Sequence, residues 1–368
     1  MKNRLLTLFT VVACALLPAF SSCEKEFNPR DKYKDITIVY GLVNPIDTFH
    51  YIRIHKAFLG PEDILLMAKE PDSSLYPVED IDVRVYEVDK SGNSTQIPVY
   101  IKEIVDKDSG AFYYPKINVY CFDKIFEKTS STGEYRPTPE KEITIKIEVE
   151  NKKTGKITYA ETPLVHNFNV RSPQRNLALD IDPSKSSATF KWNNAKYGRI
   201  YDVYYTMRYQ ERKKDASPQD FRVDSIVWHV GQCSAPSTGN GNEQTQNFNF
   251  NPGAFYAQII RDVPYNDDVW RTPYDAVRVD IWCGSEDLYY YHNINRPGGI
   301  VQERPEYTNL KTKIYSEELG SDKELEKESF GIFTSRIVQS IPLHLSPKMT
   351  QEYLPDLDRQ FKSVTHDE

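Results

Sequence analysis

Apolar residues in this chain recur mostly at every second position, in short runs. Ile143, Ile145, Ile147 and Val149 alternate with Thr144, Lys146 and Glu148. That is the period of a strand with one buried and one wet face. Comparable patterns predict strands over residues 36–43, 49–58, 81–88, 97–104 and 157–160. Asp89-Lys90-Ser91-Gly92-Asn93 and residues 151–155 carry the residues of hairpin turns. Residues 61–75 read as one or two helical turns crossing a sandwich edge. Short strands separated by turns predict an immunoglobulin-like β-sandwich over residues 35–167.

A second unit opens after Ser172-Pro173. Residues 189–192 and 200–210 read as strands, the latter with Tyr201, Val203, Tyr205 and Met207 on one face. Trp192 on an early strand facing tyrosines on the next is a fibronectin-III-like core pattern, so its ring is expected inside. Residues 222–230 and 277–283 read as further strands. Residues 252–260 read as a helix, with Phe255/Ile259 and Tyr256/Ile260 at i, i+4 spacing. Ser285 is placed to cap another helix, with Glu286 and Asp287 in its first turn, where the helix dipole favours anions. The expectation is a fibronectin-III-like β domain with helical insertions over residues 168–345, then a tail over 346–368. The charge run at 317–328 reads as a solvated helix or a loop, and the Ser/Gly/Asn/Gln-rich residues 234–251 as a loop.

Composition adds to this picture. There are 25 tyrosines and 23 prolines among 368 residues. Such a Tyr-rich, Pro-punctuated chain suits extracytoplasmic β-structure, where rings pack on sheet faces and keep a wet hydroxyl. The formal charge is −7 and no basic cluster is present, which argues against nucleic acid as a partner. Five cysteines occur without a C-x-x-C spacing, so neither a zinc knuckle nor a redox motif is expected. Cys121, Cys233 and Cys283 lie beyond residue 34. Buried free thiols are favoured for them over a Cys233–Cys283 disulfide.

The first residues change the picture most. Lys2 and Arg4 precede an apolar run, residues 5–17, that is too short to span a bilayer as a mature helix. Phe20-Ser21-Ser22-Cys23 follows, and it resembles a bacterial lipobox. In that class of signal, residues 1–22 are removed by signal peptidase II and Cys23 is acylated. Removal takes Lys2 and Arg4 and no acid, leaving 346 residues and moving the formal charge to −9. Residues 23–34 become an acylated tether. Each buried methylene contributes about 0.8 kcal/mol, so one acyl chain holds marginally and several hold firmly. The lipid bilayer is thus the first expected partner, reached through acyl chains on Cys23.

Three segments carry a family resemblance: 285–289 (SEDLY), 299–309 (GIVQERPEYTN) and 331–336 (GIFTSR). With residues 39–43 (VYGLV) and 51–60 (YIRIHKAFLG), they resemble a Bacteroidota outer-membrane lipoprotein family that carries a domain of unknown function. Members are often encoded beside TonB-dependent transporters. The resemblance spans nearly the whole chain after Cys23. It implies a place in the outer membrane, with a TonB-dependent transporter or another outer-membrane protein as partner. It also implies that the cluster Glu24, Lys25 and Glu26 is a surface-export signal. The chain departs from the family pattern at residues 310–329, a charged insertion where a short turn is usual.

Signatures of catalysis are absent. There is no G-x-S-x-G, H-E-x-x-H, P-loop or dinucleotide fingerprint. His50 and His55, five apart on a strand, fall on opposite faces and cannot share a metal. Asp106-Lys107-Asp108-Ser109-Gly110 starts like a calcium loop, but its glycine comes too early. Asp267-Asp268 beside Trp270 reads first as a polar loop. Tyr289-Tyr290-Tyr291 on a helix would spread over several faces, with at least one ring in the core. Trp270, Tyr289 and Tyr290 form the candidate aromatic binding surface, for a glycan or a peptide. No cofactor and no metal is expected. The functional expectation is a non-catalytic accessory or ligand-capturing module of a transporter or surface complex. A carbohydrate-active enzyme or a pilus-like adhesion component is the alternative.

Overall fold

A computed structural model of the chain describes residues 36–57, 64–105, 108, 110, 113, 116–126, 142–236, 244–274, 277–294 and 307–362. Its strands in chain order begin with β1 (Thr37–Val43), β2 (Phe49–Lys56), β3 (Ile81–Val88), β4 (Ser94–Ile97) and β5 (Tyr100–Ile104). Next come β6 (Ile117–Asp123), β7 (Thr144–Asn151), β8 (Lys156–Pro163), β9 (Val170–Ser172) and β10 (Ala178–Leu179). They are followed by β11 (Ala188–Asn193), β12 (Ile200–Lys213), β13 (Arg222–Ser234), β14 (Thr245–Phe250), α1 (Gly253–Asp262), β15 (Val269–Pro273) and β16 (Val277–Gly284). The last are α2 (Glu286–Ile294), β17 (Lys311–Ser316), β18 (Ser321–Leu325) and β19 (Ser329–Leu345).

The protein is mostly β and built as sandwiches. One sheet runs β13-β12-β16-β19-β1-β2-β6-β5, with β10 beside β19 and β15 beside β12. A six-stranded sheet, β18-β17-β8-β7-β3-β4, covers one part of it, and a three-stranded sheet, β14-β11-β9, belongs to the other. Val39, Ile52, Ile54 and Phe122 share a core with Val85, Ile145, Ile147 and Ala160. β7 is buried at every second residue, as its sequence requires. In the second sandwich the whole predicted face of Tyr201, Val203, Tyr205 and Met207 is buried. Trp192 is fully buried, its ring 5.3 Å from that of Tyr201 and 5.9 Å from that of Phe248. In α1 Phe255, Tyr256 and Ile259 are buried, whereas Ile260 is exposed.

β19 is the element that joins the two sandwiches. It has 17 residues, about three times the usual strand length. Its first seven residues pair in parallel with β1, Thr37 opposite Ser329 and Val43 opposite Ser335. Its next eight pair antiparallel with β16, from Arg336 opposite Gly284 to Leu343 opposite Val277. Gly331, at φ +96°, stands opposite Val39, and a Cβ there would lie 2.1 Å from the Val39 carbonyl oxygen. Only glycine fits that approach.

Several expectations need correction. The boundary between residues 167 and 168 is not a clean division. β17, β18 and the first half of β19 lie within 168–345, yet they complete the sheets of the first sandwich. The charge run is neither helix nor loop: residues 311–325 form the β17–β18 hairpin on the edge of the six-stranded sheet. Its strands are held by charge rather than apolar alternation, with Lys313 Nζ 2.7 Å from Asp322 Oδ2. Tyr159 Oη donates to Glu324 at 2.6 Å. Residues 97–104 form two strands in different sheets, because Pro98 has no N–H for a ladder and the chain crosses between sheets there. The expected tail over 346–368 docks in part: Met349, Leu354 and Phe361 are buried, and Phe361 bridges to Arg271. The guanidinium of Arg271, itself buried, donates to Glu211 and to the Arg359 carbonyl.

Cys121, Cys233 and Cys283 are free. Cys233 and Cys283 both stand opposite Tyr201, one on each side of β12. Two strand spacings, about 10 Å, separate their backbones, beyond the reach of a disulfide.

Candidate functional site

The alternation that buries one face of β12, β16 and β19 displays the other. Tyr201, Val203, Val279, Ile281 and Ile337 point into the core. Asp202, Tyr204 and Thr206 on β12 therefore share the outer face with Arg278, Asp280 and Trp282 on β16 and Arg336 on β19. The register sets Asp202 opposite Trp282, Tyr204 opposite Asp280 and Trp282 opposite Val338. These residues line a groove of about 610 Å³, with Ile200 and Leu288 at one side and Ser225 and Val227 of β13 at the other. That volume is within the range of about 300–1,000 Å³ that small-molecule sites take.

Two pairs of rings and charges define its chemistry. The Tyr204 ring lies 4.8 Å from that of His229 and edge-on to Trp282 at 6.4 Å. The Arg336 guanidinium sits 4.4 Å above the Trp282 ring. Both carboxylates are occupied. Asp280 accepts from Arg278 Nε at 2.7 Å and from Ser340 Oγ at 2.6 Å. Asp202 accepts from Gln232 Nε2 and lies 3.1 Å from His229 Nε2. Arg336 differs, since its covered Nε has no hydrogen-bond partner among the described residues. Burial holds its pKa below the ordinary guanidinium value, and the charge of Asp47 only partly offsets that. Burial raises the Tyr204 hydroxyl, with the Asp202 charge acting in the same direction. On the core side of β16, beneath the groove, the Cys283 thiol is pushed up to about 12 by complete burial, so it stays protonated and inert.

Residues 285–289, 307–309 and 331–336, described parts of the segments that carry the family resemblance, converge beside this groove. Ser285 caps α2 as expected: its Oγ accepts from Leu288 N at 3.3 Å and also bonds Thr334 Oγ1. Asp287 accepts from Tyr307 Oη at 2.6 Å and Asn309 Nδ2 at 3.1 Å. Asn309 in turn donates to the Phe333 carbonyl at 2.7 Å and accepts from Phe333 N at 3.1 Å. The insertion at 310–329 therefore leaves and returns as a hairpin, and Asn309 still lies against Phe333. Ser335 accepts from Val165 N through its hydroxyl and from Ser285 N through its carbonyl. Arg336 follows directly.

The predicted site residues do not assemble. Cys23, Glu24, Lys25 and Glu26 lie outside the described residues. Trp270 stands on β15 with Lys214 and Lys362 ammonium groups 4.6 Å and 4.3 Å from its ring centre, so lysines rather than open solvent cover it. The Arg199 guanidinium lies 4.7 Å over the Tyr289 ring, and Tyr290 packs at 5.7 Å against Tyr307. Trp270 pairs with Arg212, thirteen residues along the chain from Arg199. At about 3.3 Å per residue that is roughly 40 Å, so the three rings form no single surface. No residue of α2 is buried, which corrects the expectation that one of its three tyrosines enters the core. Asp267 pairs with Lys214 at 3.1 Å in a turn, in keeping with a polar loop. His50 is buried and His55 is not, as opposite faces require. Sequence reasoning missed Tyr204, Trp282 and Arg336 as a set. The available signal was the polar and aromatic face left over once 201/203/205 and 277/279/281 are assigned to the core.

No protein-family model and no curated protein matches the chain. Among solved structures, the crystal structure of CBD12 from CALX1.2 aligns over 84% of this chain and 100% of its own, at 8% identity and a TM-score of 0.16. Fold and groove together define the class: a mostly β protein of sandwiches that share one long strand, with an open aromatic and charged groove on a sheet face.

Proposed function

We propose that the chain is an acyl-anchored outer-membrane lipoprotein that captures a ligand without transforming it, as an accessory module of a transporter or surface complex. The observation that carries the capture is the groove between Tyr204, Trp282 and Arg336. It is concave, combines rings with directed polar groups, and lies on rigid strands. Its carboxylates support binding over acid–base chemistry, because Asp202 and Asp280 each already hold strong donors. The anchor is supported by Lys2, Arg4, the apolar run and Cys23. A TonB-dependent transporter or another outer-membrane protein is the partner class implied by the family resemblance.

The test of the anchor uses a clickable fatty acid in cells. The parent should be labelled and sediment with membranes, and Cys23→Ala should lose both properties. Labelling of Cys23→Ala would overturn the anchor. Protease added to whole cells reads the leaflet. The parent should be cleaved, and replacement of Glu24 and Glu26 by Ala should protect an equally acylated protein. Equal cleavage of the two would remove the export signal.

A further inference from the structure

Arg336 is the cation in the groove whose covered Nε finds no acceptor among the described residues. Among the described residues no carboxylate forms an ion pair with it, and its covered Nε lacks an acceptor. One ring, Trp282, supports its plane at 4.4 Å. A guanidinium that gives up hydration without an acceptor is costly, and an anion bound in its fork returns what was lost. The other charges cannot supply that anion. Asp280 is held by Arg278 and Ser340, and Asp202 by Gln232 and His229. Arg336 is thus the cation of the groove that has no carboxylate within ion-pair distance among the described residues, whereas Arg278 has Asp280.

We propose that the groove binds a carboxylate-bearing sugar, with the carboxylate on Arg336, a ring face against Tyr204 or Trp282, and hydroxyls donating to Asp202 and Asp280. This rests on the ligand-capturing reading above and names its ligand class. Three features of the groove select that class. The uncompensated cation requires a negative group. The rings offer apolar faces of the size of a pyranose. The carboxylates retain acceptor lone pairs beyond their present donors, which a polyhydroxylated ligand fills and an aromatic acid leaves bare. An extended peptide would pair along a strand edge, whereas this groove crosses β13, β12, β16 and β19 on their outer face.

The test is titration of the full mature chain with D-glucuronate, followed by Trp fluorescence and calorimetry, with D-glucose, benzoate and N-acetylalanine as comparison probes. D-glucuronate should bind most tightly and perturb Trp fluorescence. Arg336→Gln should weaken it on the order of ten- to a hundredfold, the loss of one charged hydrogen-bonding partner. Arg336→Lys should fall between, since it keeps the charge and loses the fork. Glucose binding as tightly as glucuronate, or an undiminished affinity in a folded Arg336→Gln variant, would overturn the assignment. Tighter binding of benzoate or N-acetylalanine would overturn the sugar and leave a different carboxylate as the ligand. Binding of none of the four would overturn the proposal. Because fatty-acid labelling reads the anchor independently, that outcome would be distinguishable from failure of the lipoprotein reading.

Discussion

Gly331→Ala should be among the most damaging single-methyl additions possible in this protein. Gly331 sits at φ +96°, a conformation that L side chains rarely adopt. Such a position costs a non-glycine residue on the order of 1–3 kcal/mol. The added Cβ would also lie 2.1 Å from the oxygen, 2.9 Å from the carbon and 3.2 Å from the nitrogen of Val39. Those are backbone atoms, so no rotamer change relieves the contact, and β1 and β19 must separate by about 1 Å. Overpacking of this kind adds roughly 1–3 kcal/mol. The sum, about 2–6 kcal/mol, is a large part of the 5–15 kcal/mol margin typical of a folded domain. Gly320→Ala is the control. Gly320 also has positive φ, +62°, but nothing lies within 4 Å of its Cβ position. It should cost only the conformational part, about 1–2 kcal/mol. Urea titrations followed by Trp fluorescence would measure both. If Gly331→Ala is no more destabilising than Gly320→Ala, the close approach of β1 to β19 is wrong, and with it the strand that joins the sandwiches.

Two further outcomes follow from the core. Trp192→Ala should cost about 3–5 kcal/mol, whereas Trp192→Phe should cost far less, because the phenyl ring refills most of the cavity while the Nε1 donor lost in both variants has no partner among the described residues; equal losses in denaturant titrations would show that the ring does not fill a closed core site. His166 is buried, with its pKa lowered from the ordinary 6.5 to about 4 by desolvation first and by the Lys196 charge second. Below pH 6.5 the unfolded chain takes up a proton there that the native state refuses, so stability is lost as pH falls from 6.5 towards 4, at no more than about 1.4 kcal/mol per unit. His166→Gln should flatten that part of the stability–pH curve, and parallel curves for parent and variant would refute the assignment.

Legibility in the sequence followed the range of the interaction. β3, β7 and both hairpin turns could be read because alternation and Gly92 or Gly155 act over a few residues. The buried face of β12 and the position of Trp192 could be read because aromatic and β-branched residues alternated with polar ones. The β17–β18 hairpin was illegible because its pairing rests on Lys313, Asp322, Lys311 and Glu324 rather than on an apolar face. The parallel pairing of β1 with β19 brings together residues almost 300 positions apart, and no local pattern encodes it. The groove fell between these cases. Asp202, Tyr204, Asp280 and Trp282 follow from the strand period once the core face is assigned. Which strands lie side by side, and hence that Arg336 joins them, follows only from the sheet order.

That sheet order also explains why Arg336 can act as a fixed anchor. It is the first residue of β19 to pair with β16 after the seven that pair with β1. Immediately before it, Phe333, Thr334 and Ser335 are tied by Asn309, Ser285 and Val165, which come from three separate segments. The backbone entering Arg336 is thus bonded from several directions, and Trp282 supports its guanidinium. A side chain held this way loses little further freedom on binding, which lowers the entropic cost of capturing an anion. The same bonds belong to the segments 285–289, 307–309 and 331–336 on which the family resemblance rests. Those residues are therefore accounted for by position rather than by contact with ligand: they fix the crossing of one strand between two sandwiches and, one residue later, the cation that faces the groove.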